Sequence, residues 1–395
     1  MATKQILMGI SAATLAAFAN GLTTPPGVLS LDVIRVVNQS AYGVELQVGT
    51  PPQKMRVNVD SGSPFLGLAG TTSNWCTLPT KPCAQYGSYD NATSSTTKWD
   101  SDDFNNELIN HGFGAYVNDT VRIGNHAFDG IMFGMITNYA ASFPPPAVIP
   151  GLMGLAPVCY VNDSCAAPAV TFQQILIEAG YVNSHTLGVY LGPEEQDAHG
   201  ELLFGAYDRA KQLGKPVTFD AIPVSSQATR QAPNTANFSS VSIVRRSSGY
   251  GSDKTTTQHF NISKLSYGVL DTGNPDWSLP APVWEFVADY FNIAPDGGNT
   301  DVDCSYRNPP ADGTALEVGF ANDELKIKIP IERLVTQYGP HSCAMSIRNC
   351  GGDGEGCAFG DPFLRSAYTF FDFNKKTITM SNVKYTTERD IVPAP

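Results

Sequence analysis

Two aspartates stand in settings that look like copies of each other. Val57-Asn58-Val59 runs into Asp60-Ser61-Gly62-Ser63, and Tyr267-Gly268-Val269-Leu270 runs into Asp271-Thr272-Gly273-Asn274. Each apolar run predicts a buried strand, and each Gly a tight turn that carries the Asp out at the strand end. A carboxylate there is costly unless it is hydrogen-bonded or reactive. Its appearance twice predicts two related halves that each bring one carboxylate to a shared site. Two carboxylates held side by side cannot both ionise easily, so over an acidic range they carry one proton between them. The base can then activate a water while the acid protonates a carbonyl oxygen, so an amide can be hydrolysed without a metal or covalent intermediate. The two titrations belong to the pair rather than to either residue. Ser61 and Thr272 are expected to anchor the turns through their hydroxyls, and Ser63 lies beside Asp60.

The elements that must position this pair read as strands. Apolar alternation from Leu29, then Tyr42 to Gly49, predicts strands that reach a turn at Gly49-Thr50-Pro51-Pro52 and return from Met55 into Asp60. Gly70 to Asp103 is polar and reads as loop. Further strands are predicted at Thr120–Ile123, Ile131–Met135, Gly151–Ala156, Leu187–Leu191 and Glu201–Phe204. Helical spacing marks Thr171–Ala179 and Val283–Phe291. The stretch from Ser225 to Thr257 is polar and carries no clear element. The halves are expected to meet near Gly205–Gly214, giving an N-terminal lobe of residues 20–210 and a C-terminal lobe of 211–395 around a shared cleft.

The chain has 395 residues, enough for two packed lobes. Only 16% of residues are charged, with 36 Gly and 28 Pro and few long helical patterns, which points to a β-rich, turn-rich globular protein. The balance of 25 basic to 37 acidic residues leaves −12 and no basic stripe, which argues against a nucleic-acid partner. It suits solubility at low pH, and equally an acidic surface of the ordinary kind. Lys4, the apolar run Ile6–Phe18 and Ala17-Phe18-Ala19 predict a secretory leader cut after about Ala19. No later run is long enough for a membrane anchor. Eight Cys, an even number, fit disulfides outside the cell. Cys76 and Cys83, Cys159 and Cys165, and Cys350 and Cys357 are close in the chain, while Cys304 and Cys343 stand further apart. Glycosylation sequons start at Asn38, Asn91, Asn118, Asn162, Asn237 and Asn261. The His are scattered and no spacing reads as a zinc site, so no metal or cofactor is expected.

Taken in order, several blocks resemble the pepsin-like aspartic proteases. Val48-Gly49-Thr50-Pro51-Pro52-Gln53 followed by Asp60-Ser61-Gly62-Ser63 is similar to the family's first active-site block, and Asp271-Thr272-Gly273 to its second. Ile149-Pro150-Gly151-Leu152-Met153-Gly154-Leu155-Ala156 and Phe359-Gly360-Asp361-Pro362-Phe363-Leu364-Arg365 resemble the segments that cross behind the catalytic loops. Asp119-Thr120-Val121-Arg122-Ile123-Gly124 resembles the strand after the flap. The resemblance runs from about Leu29 to Lys384. It implies an all-β, bilobal fold with a substrate cleft between two related lobes, Asp60 and Asp271 as the catalytic pair, and endopeptidase action on extended peptides by a secreted monomer. It also implies that Cys76 with Cys83 and Cys304 with Cys343 are family disulfides. Cys159 with Cys165 and Cys350 with Cys357 would be additions.

The chain departs from the family at three points. The flap Tyr falls at Glu107 or Leu108 by counting, or a shorter flap puts His111-Gly112 there, and the Trp that bonds this Tyr falls at Gly67. His111, Gly112 and Phe113 are the remaining candidates for the flap tip, and Leu66, Phe113 and Ile149 for subsite walls. Asn274-Pro275 replaces the family's hydroxyl residue and Ser after the second Asp, although Asn274 can still reach a neighbouring carboxylate. The family's long basic pro-segment has no counterpart in the short stretch between Ala19 and the first mature strands, where Arg35 is the only basic residue, so no conventional self-inhibited zymogen is expected. The competing reading is a pepsin-like protein without activity that acts as a binding or inhibitor protein. A metal-dependent hydrolase, a glycosidase or a carbohydrate-binding β protein fits the surrounding blocks poorly.

Overall fold

The computed structural model describes residues 24–36, 41–106, 112–139, 149–157, 171–193, 198–222, 234–249, 252–293, 300–350 and 357–395. The expected leader and the flap candidate His111 lie outside these. So do Cys159 and Cys165, and with them the disulfide expected between Cys159 and Cys165. The first half is built from β1 (Leu29–Val36), β2 (Ala41–Val48), β3 (Gln53–Asp60), β4 (Leu66–Ala69), β5 (Lys98–Asn106), β6 (Gly112–Ile123), β7 (His126–Asn138) and β8 (Gly151–Gly154). Along β2 the side chains of Tyr42, Val44, Leu46 and Val48 are buried while Glu45 faces solvent. That period of two seats one face of the strand in the core.

The strands close into a ring. β2 pairs with β3, β3 runs parallel to β8, β8 pairs with β4, and β4 runs parallel to β7. β7 pairs with β6, and β6 returns to β2 through Gln47↔Arg122 and Val48↔Val121. β5 lies outside the ring, on the free edge of β6.

The second half repeats the central part of this arrangement. Strand Ser252–Leu270 runs parallel to Cys357–Phe359, which pairs antiparallel with Trp277–Leu279, which runs parallel to Ile347–Asn349. This is the order of pairings made by β3, β8, β4 and β7. Each Asp stands at or just after the end of the strand that begins the motif. Between the halves, β1 joins strands His199–Phe204, Thr186–Tyr190, Ala367–Asp372, Thr377–Val383 and Gln212–Asp220 in one sheet drawn from both ends of the chain. The architecture is the expected bilobal all-β fold.

Two stretches that read as irregular are strands. The polar region before Asp271 is a long hairpin, Thr235–Gly249 paired with Ser252–Leu270. Ala236 and Phe238, then Val241 and Ile243, are buried, with a register shift between Phe238 and Ser240 that keeps apolar residues inward. Lys98–Asn106, within and beyond the expected Gly70–Asp103 loop, forms β5 with shifts at Trp99/Ser101 and Ser101/Phe104, which break its alternation. The helices fall as expected, at Phe172–Glu178, capped by Thr171 Oγ1 accepting from Gln174 N at 3.2 Å, and at Ala281–Tyr290. Among the described residues, disulfides join Cys76 to Cys83, Cys304 to Cys343 and Cys350 to Cys357.

Candidate active site

The two Asp turns meet at the junction of the halves and are cross-bonded through their hydroxyl residues. Ser61 N donates to Thr272 Oγ1 and Thr272 N to Ser61 Oγ, both at 3.0 Å. Ser61 Oγ in turn donates to Leu270 O at 2.7 Å, and Thr272 Oγ1 to Val59 O at 2.8 Å. Each hydroxyl therefore bonds the backbone of the opposite half, and both side chains are buried. Thr272→Val should cost roughly 2 kcal/mol, because it strands the Ser61 N–H and the Val59 carbonyl away from water. A shift in the urea midpoint would register it, and an unchanged midpoint would contradict the cross-bonded geometry.

Each carboxylate is held by its own turn and pressed against the other half. Gly62 N donates to Asp60 Oδ1 at 2.8 Å, and Gly273 N to Asp271 Oδ1 at 2.9 Å. A Cβ added at Gly62 would lie 2.6 Å from Asp271 Cγ, and one at Gly273 2.6 Å from Asp60 Oδ1. Only glycine lets either turn approach the opposite carboxylate this closely.

The pair is not symmetric. Ser63 Oγ donates to Asp60 Oδ2 at 2.5 Å. The residue in the matching position of the second turn, Asn274, turns its side-chain oxygen to accept from Asp276 N at 2.9 Å. The expected contact of Asn274 with a carboxylate gives way to this local turn, because the backbone N–H two residues on is the nearest donor. Burial, and next the neighbouring charge of Asp60, hold the Asp271 carboxyl well above the usual range, against smaller contributions from the Gly273 and Gly62 amides. The arrangement puts an extra donor on Asp60 and biases the proton shared by the pair toward Asp271. Among the described residues no group of three or more His, Cys, Asp or Glu side chains is set to hold a metal ion.

The remaining candidates divide. Ser61, Gly62, Ser63, Thr272 and Gly273 converge on the pair. Gly112 begins β6, and Phe113 after it is 51% exposed. Leu66 is buried in the core, and Ile149 packs with Val36, Ala41 and Tyr86.

Three supports stand outside the predicted site residues, although Asp119 and Asp361 fall within the family-like blocks. Asn234 donates from Nδ2 to Ser61 O at 2.5 Å while its backbone carbonyl accepts from Leu270 N at 2.7 Å, so one residue ties both turns. Asp119 on β6 is buried, and accepts from Tyr89 Oη and Ser94 Oγ at 2.6 Å, Thr96 Oγ1 at 2.5 Å, Thr97 Oγ1 at 2.9 Å and its neighbour Thr120 N at 2.7 Å. Burial alone would raise its carboxyl, but the donors from Ser94, Thr96 and Tyr89 outweigh it and hold the group below the usual range. Asp361 pairs with Arg365 Nε at 2.9 Å and Arg35 Nη2 at 3.8 Å and accepts from the Tyr42 hydroxyl. The ion-pair geometry could be suspected from Asp361 and Arg365 one helical turn apart, but Arg35 and Tyr42 come from the other end of the chain.

Comparison with known proteins gives a consistent result. The family model described as eukaryotic aspartyl protease matches residues 41–383. The chain is 24% identical to an acid protease of Saccharomycopsis fibuligera, covering 88% of this chain and 82% of that protein. It is 25% identical to aspartic proteinase yapsin-3 of Saccharomyces cerevisiae, over 90% of this chain and 68% of the relative. It is 26% identical to candidapepsin of Candida tropicalis, over 98% of both.

Proposed function

The chain belongs to the eukaryotic aspartyl protease family, and from that premise we propose that it is a secreted endopeptidase that cleaves extended peptides at acidic pH with Asp60 and Asp271 as its catalytic pair. The observation that carries this reading is the mutual approach of the two carboxylates across glycine turns locked by Ser61 and Thr272. In this reading Asp60, with the Ser63 hydroxyl on Oδ2, is the base. It takes a proton from a water whose oxygen attacks the scissile carbonyl carbon. Asp271, which retains its proton, gives it to the carbonyl oxygen as that oxygen becomes negative. Collapse of the tetrahedral species returns a proton to the leaving nitrogen, breaks the C–N bond and restores the shared proton. The Ser61, Gly62, Thr272 and Gly273 groups hold the geometry while Asn274 shapes the second turn.

We read residues 1–19 as a leader that is removed, 20–210 as the lobe carrying Asp60 and 211–395 as the lobe carrying Asp271. The repeated order of pairings in the two halves supports that division. The partners are protein or peptide substrates, no cofactor is needed, and the protein works as a monomer outside the cell. Among the described residues no helix is long and apolar enough to cross a membrane.

The direct assay is hydrolysis of an unfolded protein at about pH 3–5, with and without a statine-type mimic of the tetrahedral species. Cleavage within the chain that the mimic blocks is the expected result. Intact substrate with folded protein would instead support the reading of a binding or inhibitor protein.

A further inference from the structure

In the sequence the family's Tyr and Trp have no counterpart at the expected positions, and in the structure Ile136 and then Phe104 stand nearest to Gly67, the position of the Trp. Gly67 on β4 and Gly134 on β7 are direct partners in adjacent parallel strands. Two glycines side by side leave a flat shelf in a sheet, where backbone is bare and no side chain packs. The ring of Phe104 lies on that shelf. A Cβ added at Gly134 would fall 2.2 Å from Phe104 Cε2, and one at Gly67 would stand 3.8 Å from Phe104 Cζ. Ile136 reaches the same place from β7, with Cδ1 3.3 Å from the added Gly67 Cβ. Tyr116, the partner of Gly134 on β6, meets the Phe104 ring edge to face at 5.1 Å, and Phe65 meets it at 6.5 Å. Phe104 is 1% exposed although β5 is the outermost strand of its sheet.

The shelf belongs to the segment that leaves the first Asp turn. From Asp60 the chain passes through Ser63, which donates to Asp60 Oδ2, then Phe65, and reaches Gly67 four residues after Ser63. That segment is pinned to β8 and the residues after it, with Gly154 N on Phe65 O at 2.7 Å, Leu155 N on Asp60 O at 2.8 Å and Ala156 N on Ser63 O at 3.0 Å. A side chain seated on Gly67 therefore bears on the loop that sets Asp60. The same side chain belongs to the β5–β6 hairpin, the element at the position of the family's flap. We propose that Phe104 is a positioning residue: seated in the slot of Gly67 and Gly134, it locks the β5–β6 hairpin to the Asp60 loop, by packing where the family uses a hydrogen-bonded Tyr–Trp pair. The catalytic half of this proposal rests on the protease reading above, and the hairpin lock does not.

Two opposite changes test it in the full-length protein. Phe104→Ala empties the slot, and Gly134→Ala fills it with a methyl group where the ring now lies. Both should raise amide hydrogen exchange in residues 98–106 and 112–118 by about 100-fold, as local opening of the hairpin becomes easy. Both should lower kcat/KM on a peptide substrate by roughly 30-fold, mostly in kcat, since a displaced reacting group is enough to cost that much. Phe104→Leu, which keeps an apolar plug, should recover most of the exchange protection and of kcat. Exchange is measured also in the Asp60→Asn background, where autolysis cannot contribute. Wild-type exchange and kcat in both variants, with only a lower melting temperature, would make Phe104 an ordinary core residue and overturn the proposal. If the wild-type protein hydrolyses no peptide, the catalytic half falls with the protease reading. The lock then stands or falls on the exchange result alone.

Discussion

Asp271→Asn should abolish peptide hydrolysis, by roughly 10³-fold or more, and should also flatten the dependence of stability on pH. The two effects have one origin. The Asp271 carboxyl titrates above its usual range because it is buried and faces the charge of Asp60. In the unfolded chain the same group titrates near about 3.9. Between those two values the folded state binds more protons than the unfolded state, so the unfolding free energy falls as pH rises. The contribution is fully present below the unfolded value and is lost as pH rises through the raised folded value. In the proposed mechanism activity should fall over the same upper limb, because the group assigned as the acid is being titrated away. The Asn side chain neither supplies this proton nor titrates, so both the catalysis and that part of the pH–stability slope disappear. Melting temperatures of wild type and variant, followed from about pH 3 to about pH 7, compare the two slopes. A variant that keeps the wild-type slope would show that the proton is not held on Asp271. Asp60→Asn should lose hydrolysis to a similar degree but leave Asp271 without its charged neighbour, so its slope should shrink rather than vanish.

The largest effect on stability is expected at Asp361. Its carboxylate is fully buried, is flanked by Arg365 and Arg35, and accepts from the Tyr42 hydroxyl. Burial, then the charge of Asp361, holds the Tyr42 phenol well above its ordinary value, so Tyr42 stays a neutral donor. Arg35 and Tyr42 lie on β1 and β2, and Asp361 and Arg365 in the helical turn after strand Cys357–Phe359. The cluster therefore ties the start of the chain to its end. Asp361→Ala removes the carboxylate shared by two buried guanidinium groups, and breaking a buried pair from one side costs about 3–5 kcal/mol. Urea unfolding monitored by Trp fluorescence reads this directly. Asp361→Ala combined with Arg35→Met should be less damaging than Asp361→Ala alone, since it removes one of the two buried cations. A single variant within about 0.5 kcal/mol of wild type would mean that the ion pairs contribute nothing, as is common only for exposed pairs.

Strands that run apolar into an Asp and a Gly are local patterns, and residues 57–63 and 267–274 displayed them without help from the rest of the chain. The two helices were legible for the same reason, since cap and spacing lie within a few residues of each other. The Cys76–Cys83 and Cys350–Cys357 bridges each span a short stretch of chain. Where local pattern and tertiary context disagreed, context won. The hairpin Thr235–Leu270 is polar over much of its length, and backbone pairing along it holds the strands together where apolar alternation is weak. β5 lost its alternation to register shifts at Trp99/Ser101 and Ser101/Phe104.

What the sequence determined by itself is a pair of carboxylates, each on a strand end, in a chain of two like halves. Tertiary structure alone decided how they are used. The hydroxyls of Ser61 and Thr272 find the opposite backbone across a separation of more than 200 residues, which no local pattern encodes. Ser63 reaches Asp60 while Asn274 turns to Asp276, so the two halves part company where the shared proton must choose a side. Gly67 read as the loss of an aromatic partner, and became a shelf for Phe104 only once β4 and β7 lay side by side. In each case the deciding quantity is the distance between side chains far apart in the chain, and packing sets that distance.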